Sequence, residues 1–407
     1  MPLVDEGDAL LDDIVRSGDV RSLLQPIVDL SSGDTVAYEA LARGPHGSPL
    51  ERPDRLLAKA RAAGRLDEVD RLCRVRAIEA GRRAGLVAPH SLFVNVEPDS
   101  LHHLVDNNDL LPHPPTILEL TERALSLDPA LLIRAIAALR ELGWAFAIDD
   151  LGVNTRSLAL LPLIAPDIIK LDMSIVQNAP DQHAATIMSA VAAHSEATGA
   201  LILAEGIETA EHIVRARALG ADLGQGWLFG PPAEADTVIA TVPGLSLSTP
   251  PIPRRPSATP YEIAVRARAP KIADKLLLLE LSTFLESRAQ RDADSAVIVS
   301  AIQHADNLTP ATVRRYRELA SLGALVIVLA KGISAIDPLS DMHAVDLAED
   351  EPLTGEWAVA VISTDFAALL AAREMRNTSQ LQFEFVLTHD RRLVLEAAHS
   401  LFARLRG

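Results

Sequence analysis

The stretch FAIDD, residues 146–150, is a short apolar run that ends in two adjacent carboxylates, Asp149 and Asp150. Five further apolar runs in the first half of the chain each carry a candidate site residue at or near the end. They are VAYEA with Glu39, LFVNV with Asn95, TILEL with Glu119, DIIKLD with Lys170 and LILAEG with Glu205. Runs of this length, separated by helical patterns, are typical of parallel strands buried on both faces.

Helical patterns alternate with these runs up to about residue 240. They cover residues 56–85, 128–143, 182–199 and 210–220. In the second of these stretches Asp128 is placed to cap the helix start and Gly143 to end it. Strands that alternate with helices favour parallel pairing, and this number of units predicts an α/β fold of the TIM-like (β/α)₈ barrel type.

The polar residues at the strand ends predict a metal site. A buried carboxylate is costly unless a partner satisfies it, and a series at strand ends indicates one ring of ligands around a hard cation. Glu39, Asn95, Glu119 and Asp149 offer the oxygen ligands that Mg²⁺ or Mn²⁺ prefers. If one carboxylate of the Asp149–Asp150 pair bridges, two metals can be held, which suits phosphoryl transfer.

Three other residues complete the predicted chemistry. Lys170 would neutralise developing charge or orient a water molecule, Glu205 would act as general base and Arg43 would hold a phosphate. No cluster of His and Cys indicates zinc, and the chain has no GxxxxGK[ST] phosphate loop.

Each of these residues also has a structural interpretation. Glu39 could simply pair with Arg43 four residues on, and adjacent aspartates are common in loops. Asp172 could partner Lys170 or the following turn. Trp227 could stack on a base, although a place in the barrel wall is the preferred interpretation. Membership of one series of strand ends favours the functional interpretation for the acids.

Composition narrows the class of protein. The chain has 407 residues, 48% hydrophobic content and a formal net charge of −17, which argue against disorder and against binding DNA through a broad basic face. The single cysteine, Cys73, fits a reducing compartment, and the acidic start lacks the pattern of a secretion signal. No apolar run approaches the roughly 20 residues of a membrane helix. We expect a soluble, cytoplasmic protein with no membrane partner.

A composition change divides the chain. Residues 241–260 are rich in Pro and Ser, which is typical of a linker between a first domain, 1–240, and a second, 261–407. The second domain has fewer strand and helix patterns and is predicted to be a smaller α/β unit. Helices are expected over 272–292 and 309–323, with Thr309 capping the latter.

The motif YEALAR, residues 38–43, is similar to the sequence that gives its name to the EAL family of cyclic-di-GMP phosphodiesterases. The likeness continues in order through most of the first domain. The matching segments are LLQPIVDL (23–30), LFVNVEP (92–98), LELTE (118–122), AIDDLG (147–152), IIKLD (168–172), AEGIET (204–209) and LGQGWLFGPP (223–232). Together these motifs are specific, although each by itself is weak.

This resemblance implies hydrolysis of cyclic-di-GMP to linear pGpG at a two-metal site holding Mg²⁺ or Mn²⁺. It implies that Lys170 and Glu205 serve the attacking water and that the protein is a homodimer. The implied metal ligands are Glu39, Asn95, Glu119, Asp149 and Asp150. The implied nucleotide contacts are Gln25, Leu41, Arg43 and Gln225. Glu208 would hold the loop that follows Asp150.

That loop departs from the family pattern. The residues after the two aspartates are Leu151-Gly152-Val153-Asn154-Thr155-Arg156, where the family has Phe-Gly-Thr-Gly-Tyr-Ser. The resemblance implies that the loop couples metal occupancy to dimerisation. The departure therefore favours one alternative, in which the barrel binds cyclic-di-GMP with weak or no turnover and signals to a protein partner. A scaffold without nucleotide binding is a second alternative.

The second domain resembles the DICT sensory domain found with diguanylate cyclases and two-component proteins. The segments that carry this likeness are RYRELA (315–320), EWAVAVIS (356–363), AARE (371–374) and LTHDRRLVLEAAHSLFARL (387–405). The resemblance implies a regulatory input domain, responding to light or another signal. It does not identify the sensory ligand.

Overall fold

The structure is a computed structural model of the chain. It divides into two compact units, Met1–Val153 with Pro166–Pro250 and Asn154–Ala165 with Pro251–Gly407. Most of the predicted linker, 241–260, lies outside the described residues. The structure describes residues 6–86, 91–101, 104, 116–121, 129–151, 158, 160–179, 181–237, 244–245, 247, 258–335, 342–364, 366–375 and 381–405.

The first unit is a closed barrel. Its sheet has the strand order β2-β3-β4-β5-β6-β7-β8-β1, with β1 also paired to β2, and a short β9 extends beyond β1. The strands are β1 (Arg21–Asp29), β2 (Thr35–Arg43), β3 (Ser91–Asn95), β4 (Thr116–Thr121), β5 (Ala145–Leu151), β6 (Ile168–Leu171), β7 (Leu201–Ala204), β8 (Leu223–Gln225) and β9 (Ala233–Glu234).

Strand β1 runs against its neighbours, so the barrel is not fully parallel. Strands β2 to β8 run parallel, whereas β1 is antiparallel to both β2 and β8. Strand β2 also continues four residues beyond Glu39 to Arg43, so Glu39 lies within a strand and not at its end. The predicted barrel class is confirmed with this difference.

Helices precede or separate the barrel strands along the chain. Those in residues 6–218 are α1 (Glu6–Ser17), α2 (Pro53–Ala62), α3 (Leu66–Arg83), α4 (Pro129–Glu141), α5 (Leu161–Ile164), α6 (Met173–Gln177), α7 (Gln182–Thr198) and α8 (Ala210–Ala218). Of these, α5 falls in the segment 154–165 of the second unit. The single helix expected over 56–85 is two helices, because the chain turns at Gly64, where φ is +68°. This left-handed conformation is accessible to glycine without steric cost. Asp128, the expected cap of α4, lies outside the described residues.

The second unit contains a mixed sheet with the order β10-β16-β15-β14-β11-β12-β13. Its strands are β10 (Lys271–Asp274), β11 (Val297–His304), β12 (Leu325–Lys331), β13 (His343–Asp346), β14 (Glu356–Ile362), β15 (Ala367–Glu374) and β16 (Gln382–Thr388). The remaining helices are α9 (Pro260–Ala267), α10 (Lys275–Ala289), α11 (Pro310–Ser321) and α12 (Arg391–Phe402). This unit confirms the predicted smaller α/β domain.

The helix expected over 272–292 starts later. Residues 271–274 form β10, and Asp274 then caps α10 by accepting from the backbone N–H of Leu277.

Every residue of β14 is buried, which is typical of a central strand covered on both faces. One face packs with Tyr316 and Leu319 of α11 in the main core of this unit.

In the described part of the chain, no helix combines the length and the apolar character needed to cross a membrane.

Candidate active site

Neighbouring strands of the barrel bring the predicted site residues together. Asn95 pairs directly with Glu119 across β3 and β4, and Gln25 pairs with Glu39 across β1 and β2. Parallel strands of a barrel end at the same rim, and this is where such folds hold their active sites. Lys170 of β6 completes the set, and all five residues join one polar network.

Lys170 is the centre of this network. Its Nζ lies 2.7 Å from Glu119 Oε1, 2.8 Å from Asp149 Oδ1 and 2.9 Å from Glu205 Oε1. A fourth carboxylate, that of Glu39, lies 3.6 Å away. The lysine is 1% exposed and Glu119 is fully buried, so these are ion pairs shielded from water.

Two amides cross-link the acids. Asn95 Nδ2 donates to Glu39 Oε1 and to Glu119 Oε2, both at 3.1 Å. Gln225 Nε2 donates to Glu39 Oε2 at 2.6 Å and to Gln25 Oε1 at 3.2 Å. Both carboxylate oxygens of Glu39 are therefore hydrogen-bonded. Asn95 presents its nitrogen here, and a ligand role would require its oxygen to turn toward the cation.

A bulge places two consecutive carboxylates on one side of β5. Neighbouring residues of a regular strand point to opposite faces. Here the register shifts between Ile148 and Leu151, and Asp150 adopts a left-handed φ of +58°. As a result, Asp149, Asp150 and Glu205 each offer an oxygen within 4.8 Å of the others. Such bulges frequently re-aim side chains beside active sites.

The environment shifts the acids of the site in opposite directions. Burial raises the pKa of Glu39, but attraction to Lys170 and hydrogen bonds from Gln225 and Asn95 outweigh it and lower the pKa overall. Burial, with repulsion from Glu39, holds the pKa of Glu119 well above its usual range. Two adjacent acids whose environments separate their pKa values are typical of functional sites.

The outer acids are also shifted. Burial, and then repulsion from Asp149 and Glu39, raises the pKa of Glu205 to about 8 against the attraction of Lys170. Burial and Asp149 raise the pKa of Asp150 to about 6. Burial disfavours the charged form of Lys170, but the surrounding acids hold its pKa well above its usual range. The site therefore keeps its ammonium group, and Glu119, Glu205 and Asp150 hold their protons to higher pH than free carboxyl groups do.

The other predicted nucleotide contacts lie along β2. Leu41 and Arg43 share the strand face of Glu39, because every second residue points the same way, and both side chains are half-buried. Arg43 donates to the carbonyl of Ala42 at 2.7 Å. Burial, and then repulsion from Arg21, lowers the pKa of the Arg43 guanidinium.

Glu208 is exposed after β7. The loop that it was predicted to hold, Gly152–Arg156, lies outside the described residues. Asp172, for which two interpretations were open, accepts a hydrogen bond from the backbone N–H of Ser174 at 2.8 Å and caps α6. Of the two interpretations, the structure supports the one in which Asp172 serves the following turn.

Trp227 corrects an expectation. The sequence favoured a place in the barrel wall, but the side chain is 73% exposed. It follows Gln225 by two residues, just beyond the end of β8. An exposed indole at the rim is free to contact a ligand, which is a common use of Trp at binding sites.

The turn after β8 is a feature that sequence inspection missed. A Cβ on Gly226 would lie 2.2 Å from the carbonyl oxygen of Ile207, and φ at Gly226 is +156°. The backbone of Ile207 is hydrogen-bonded to the carbonyl of Gln225 at 3.0 Å. Only glycine permits this close approach, which fixes the position of Gln225. The signal in the sequence was the glycine pattern LGQGWLFG, 223–230.

Comparisons with known proteins find two family models in the chain. A sequence model of the family described as "EAL domain" matches residues 8–232. A second, described as "Sensory domain in DIguanylate Cyclases and Two-component system" and abbreviated DICT, matches residues 261–375. Both resemblances drawn from the sequence motifs are confirmed.

Several curated relatives share the barrel. Cyclic di-GMP phosphodiesterase NbdA of Pseudomonas aeruginosa is 32% identical over 231 residues, covering 54% of this chain and 29% of NbdA. Cyclic di-GMP phosphodiesterase RocR of the same organism is 31% identical over 235 residues, covering 54% of this chain and 60% of RocR. The chain thus spans less than two thirds of the length of either relative.

Solved structures are similar over the same region. One described as "PaMucR Phosphodiesterase, c-di-GMP complex" is 26% identical with a TM-score of 0.48, covering 56% of this chain and 98% of that one. The match to the family model extends over more than half of the chain and includes every strand of the closed barrel. The chain therefore belongs to the EAL domain family.

Proposed function

We propose that the barrel hydrolyses cyclic-di-GMP to linear pGpG and that the second unit regulates this reaction. The observation that carries the proposal is the buried cage in which Lys170 contacts Glu119, Asp149, Glu205 and Glu39. Two curated relatives, each aligned to 54% of this chain, are named cyclic di-GMP phosphodiesterases. A cage of this cost is rarely kept for stability alone.

The charge of the site supports a role for divalent cations. Five carboxylates, counting Asp150, surround one ammonium group. Acids crowded in this number would repel a phosphodiester, so further cations are needed for an anionic substrate. The oxygen donor set suits Mg²⁺ or Mn²⁺.

We propose that Glu39, Asn95, Glu119, Asp149 and Asp150 hold the cations. When bound, the metal would supply positive charge that activates water and stabilises the displacement at phosphorus. The mutual proximity of Asp149, Asp150 and Glu205 within 4.8 Å fits such a site.

The protein's own groups would divide the remaining work. Lys170 holds the acids in place and carries a permanent positive charge. Glu205 is the acid on the outer side of this lysine, with its side chain 20% exposed, and would accept the proton of the attacking water at its carboxylate. Gln25, Gln225 and Arg43 would bind the nucleotide, because amides and a guanidinium match base edges and phosphate oxygens.

The experiment uses the purified full chain with cyclic-di-GMP and either Mg²⁺ or Mn²⁺, with products separated by chromatography. We expect pGpG to accumulate, to disappear with chelator and to be lost in Glu39→Gln. The matched control is Glu141→Gln on α4, an exposed acid, which should leave the rate unchanged. An undiminished rate in Glu39→Gln would contradict the assignment.

Regulation is tested within the second unit. Arg373 contacts Glu356 at 2.7 Å and Glu262 at 3.3 Å, so Arg373→Ala perturbs that unit without touching the barrel. We expect the turnover rate to change while the product stays the same. A rate identical to that of the unaltered chain would count against regulation.

A receptor without turnover is the second candidate. The departure at Val153–Arg156 from the family pattern favours it. Cyclic-di-GMP binding with no product in either metal would support this candidate. Absence of both binding and product would favour the scaffold alternative. The homodimer expected from the resemblance stays a prediction that light scattering can check.

A further inference from the structure

A second cavity lies on the outside of the barrel. It has a volume of about 520 Å³, within the range of small-molecule sites. Four arginines and two acids line it, and we call it the arginine cavity. These residues are Arg21, Arg76, Arg82, Arg83, Glu79 and Glu234.

The arginine cavity carries an excess of positive charge in a strongly acidic chain. Arg76 pairs with Glu79 at 2.7 Å, and Arg21 pairs with Glu234 at 3.1 Å. Glu51, outside the lining, also accepts from Arg21 at 3.1 Å. Arg83 has no hydrogen-bond or ion-pair partner among the residues that the structure describes. Because Arg82 also has a partner, the positive charge that the cavity offers to a ligand is that of Arg83, in a chain whose net charge is −17.

A buried hydroxyl in the cavity has no partner. Ser22 is 2% exposed, and within the described parts of the chain its Oγ forms no hydrogen bond. Ser22 shares a strand face with Leu24, which packs in one cluster with Ala77 and Ala80 of α3, so the hydroxyl faces that helix. Leaving a buried hydroxyl unsatisfied costs about 1–3 kcal/mol. A ligand acceptor would remove this cost.

A second donor beside it is also unsatisfied. Arg21 Nε is buried and, in the described residues, has no hydrogen-bond partner, although both terminal nitrogens of this arginine are paired. The orphan hydroxyl and the orphan N–H each need an acceptor, and the unpaired charge of Arg83 is matched best by an acceptor that is negative and carries several oxygens. A phosphate group meets this requirement, because its oxygens accept simultaneously from hydroxyl and guanidinium donors.

We propose that the arginine cavity binds a phosphate-bearing small molecule. Ser22, which faces α3, and Arg83, the last residue of α3, donate to the phosphate, and the remaining volume accommodates a group of about nucleotide size. The site is separate from the acidic cage. Arg21 pairs with Arg43 across β1 and β2, whereas Gln25 pairs with Glu39, and four residues of strand span roughly 13 Å.

Binding is measured by calorimetry with the full chain and three probes: inorganic phosphate, adenosine monophosphate and adenosine. The experiment includes a chelator. Without bound metal the acidic cage repels anions, so binding of phosphate there does not interfere. We expect the two phosphate-bearing probes to bind and adenosine to show no binding. Tighter binding of the monophosphate than of phosphate identifies an organic phosphate as the ligand, and equal affinity identifies the free anion.

Variants locate the binding. Arg83→Ala and Ser22→Ala should each weaken binding roughly tenfold, and Arg83→Lys should recover part of the loss. Arg55→Ala on α2, an exposed arginine outside the cavity, and Glu39→Gln in the cage should leave affinity unchanged. Arg83 is exposed, so its variants should fold, which a thermal melt checks.

Three results would overturn the proposal. They are no binding of either phosphate probe at millimolar concentration, equal binding of adenosine, or full affinity in both Arg83→Ala and Ser22→Ala. Hydrolysis of cyclic-di-GMP is not needed for any of these readouts, so the test is independent of the proposed function.

Discussion

The ammonium nitrogen of Lys170 lies 2.7 Å from a carboxylate oxygen of Glu119, and both side chains are shut off from solvent. A charge buried this deeply is tolerated only when it is paired. The pair therefore links the stability of the barrel to the chemistry of its rim.

Replacing Lys170 by Met should destabilise the metal-free protein by about 3–5 kcal/mol, because it leaves buried acids without their cation. The loss should be smaller at acidic pH, where the acids take up protons. Chemical denaturation in chelator measures it. Lys271→Met on β10, an exposed lysine, is the matched control, and equal stability of both variants would contradict the role of Lys170.

The contribution of Glu205 and Asp150 to the stability of the metal-free protein should fall as the pH rises. The pKa values of Glu205 and Asp150 are raised to about 8 and about 6, so the folded state holds protons that the unfolded chain has released. Folding is favoured below the unfolded pKa values near 4, and this contribution is lost by about pH 8. Thermal melts in chelator between pH 5 and pH 8.5 test the slope.

Metal binding should show the opposite trend. Protons on Glu205 and Asp150 compete with a cation, so affinity for Mn²⁺ should rise between pH 6 and pH 8. Titrations monitored by thermal shift measure this. Equal affinity at both pH values would show that these two acids do not face the cation.

Trp227→Ala should weaken cyclic-di-GMP binding while leaving stability unchanged. The indole is 73% exposed, and stacking of a base on an aromatic ring corresponds to roughly 5- to 150-fold in affinity. Trp227→Phe should restore most of the binding. The exposed Leu142 offers a control, since Leu142→Ala should have no effect on affinity.

Gly226→Ala should destabilise the first unit by about 1–3 kcal/mol and reduce nucleotide binding. The added methyl group would meet the backbone oxygen of Ile207 at 2.2 Å, and neither backbone can move without shifting Gln225. Gly33→Ala is the comparison, because its φ is +81° but no atom lies within 4 Å of the new Cβ. Similar losses in the two variants would indicate that φ alone matters.

Cys73 should react slowly with thiol reagents in the folded protein. Burial raises the pKa of its thiol to about 12, and the thiolate is the reactive form. Labelling at pH 8 should be slower than in denaturant by at least roughly a hundredfold. Fast labelling of the native protein would contradict this environment.

Six of the barrel strands, β2 to β7, and their order could be predicted from the sequence. Local periodicity is sufficient for this, because burial on both faces requires continuous apolar runs such as IIKL, 168–171. The same runs predicted which polar residues gather at one site, since Glu39, Asn95, Glu119 and Asp149 recur at comparable places, and their role as metal ligands stays a prediction. The motifs also identified the family.

Tertiary structure decided what these residues contact. The antiparallel direction of β1 depends on pairing with β2 and β8, which no local pattern encodes. Asp149 and Asp150 share one side only because of a bulge and a left-handed backbone.

Three features of the structure depend wholly on chain folding. They are the convergence of four acids on Lys170, the exposure of Trp227 and the arginine cavity. Each of these features either brings together residues that are distant in the chain or depends on which parts of the chain cover a side chain. The sequence by itself thus determined which chemical groups this protein carries and on which elements. Their distances, burial and pKa values arose only when long-range packing removed water and brought the charges together.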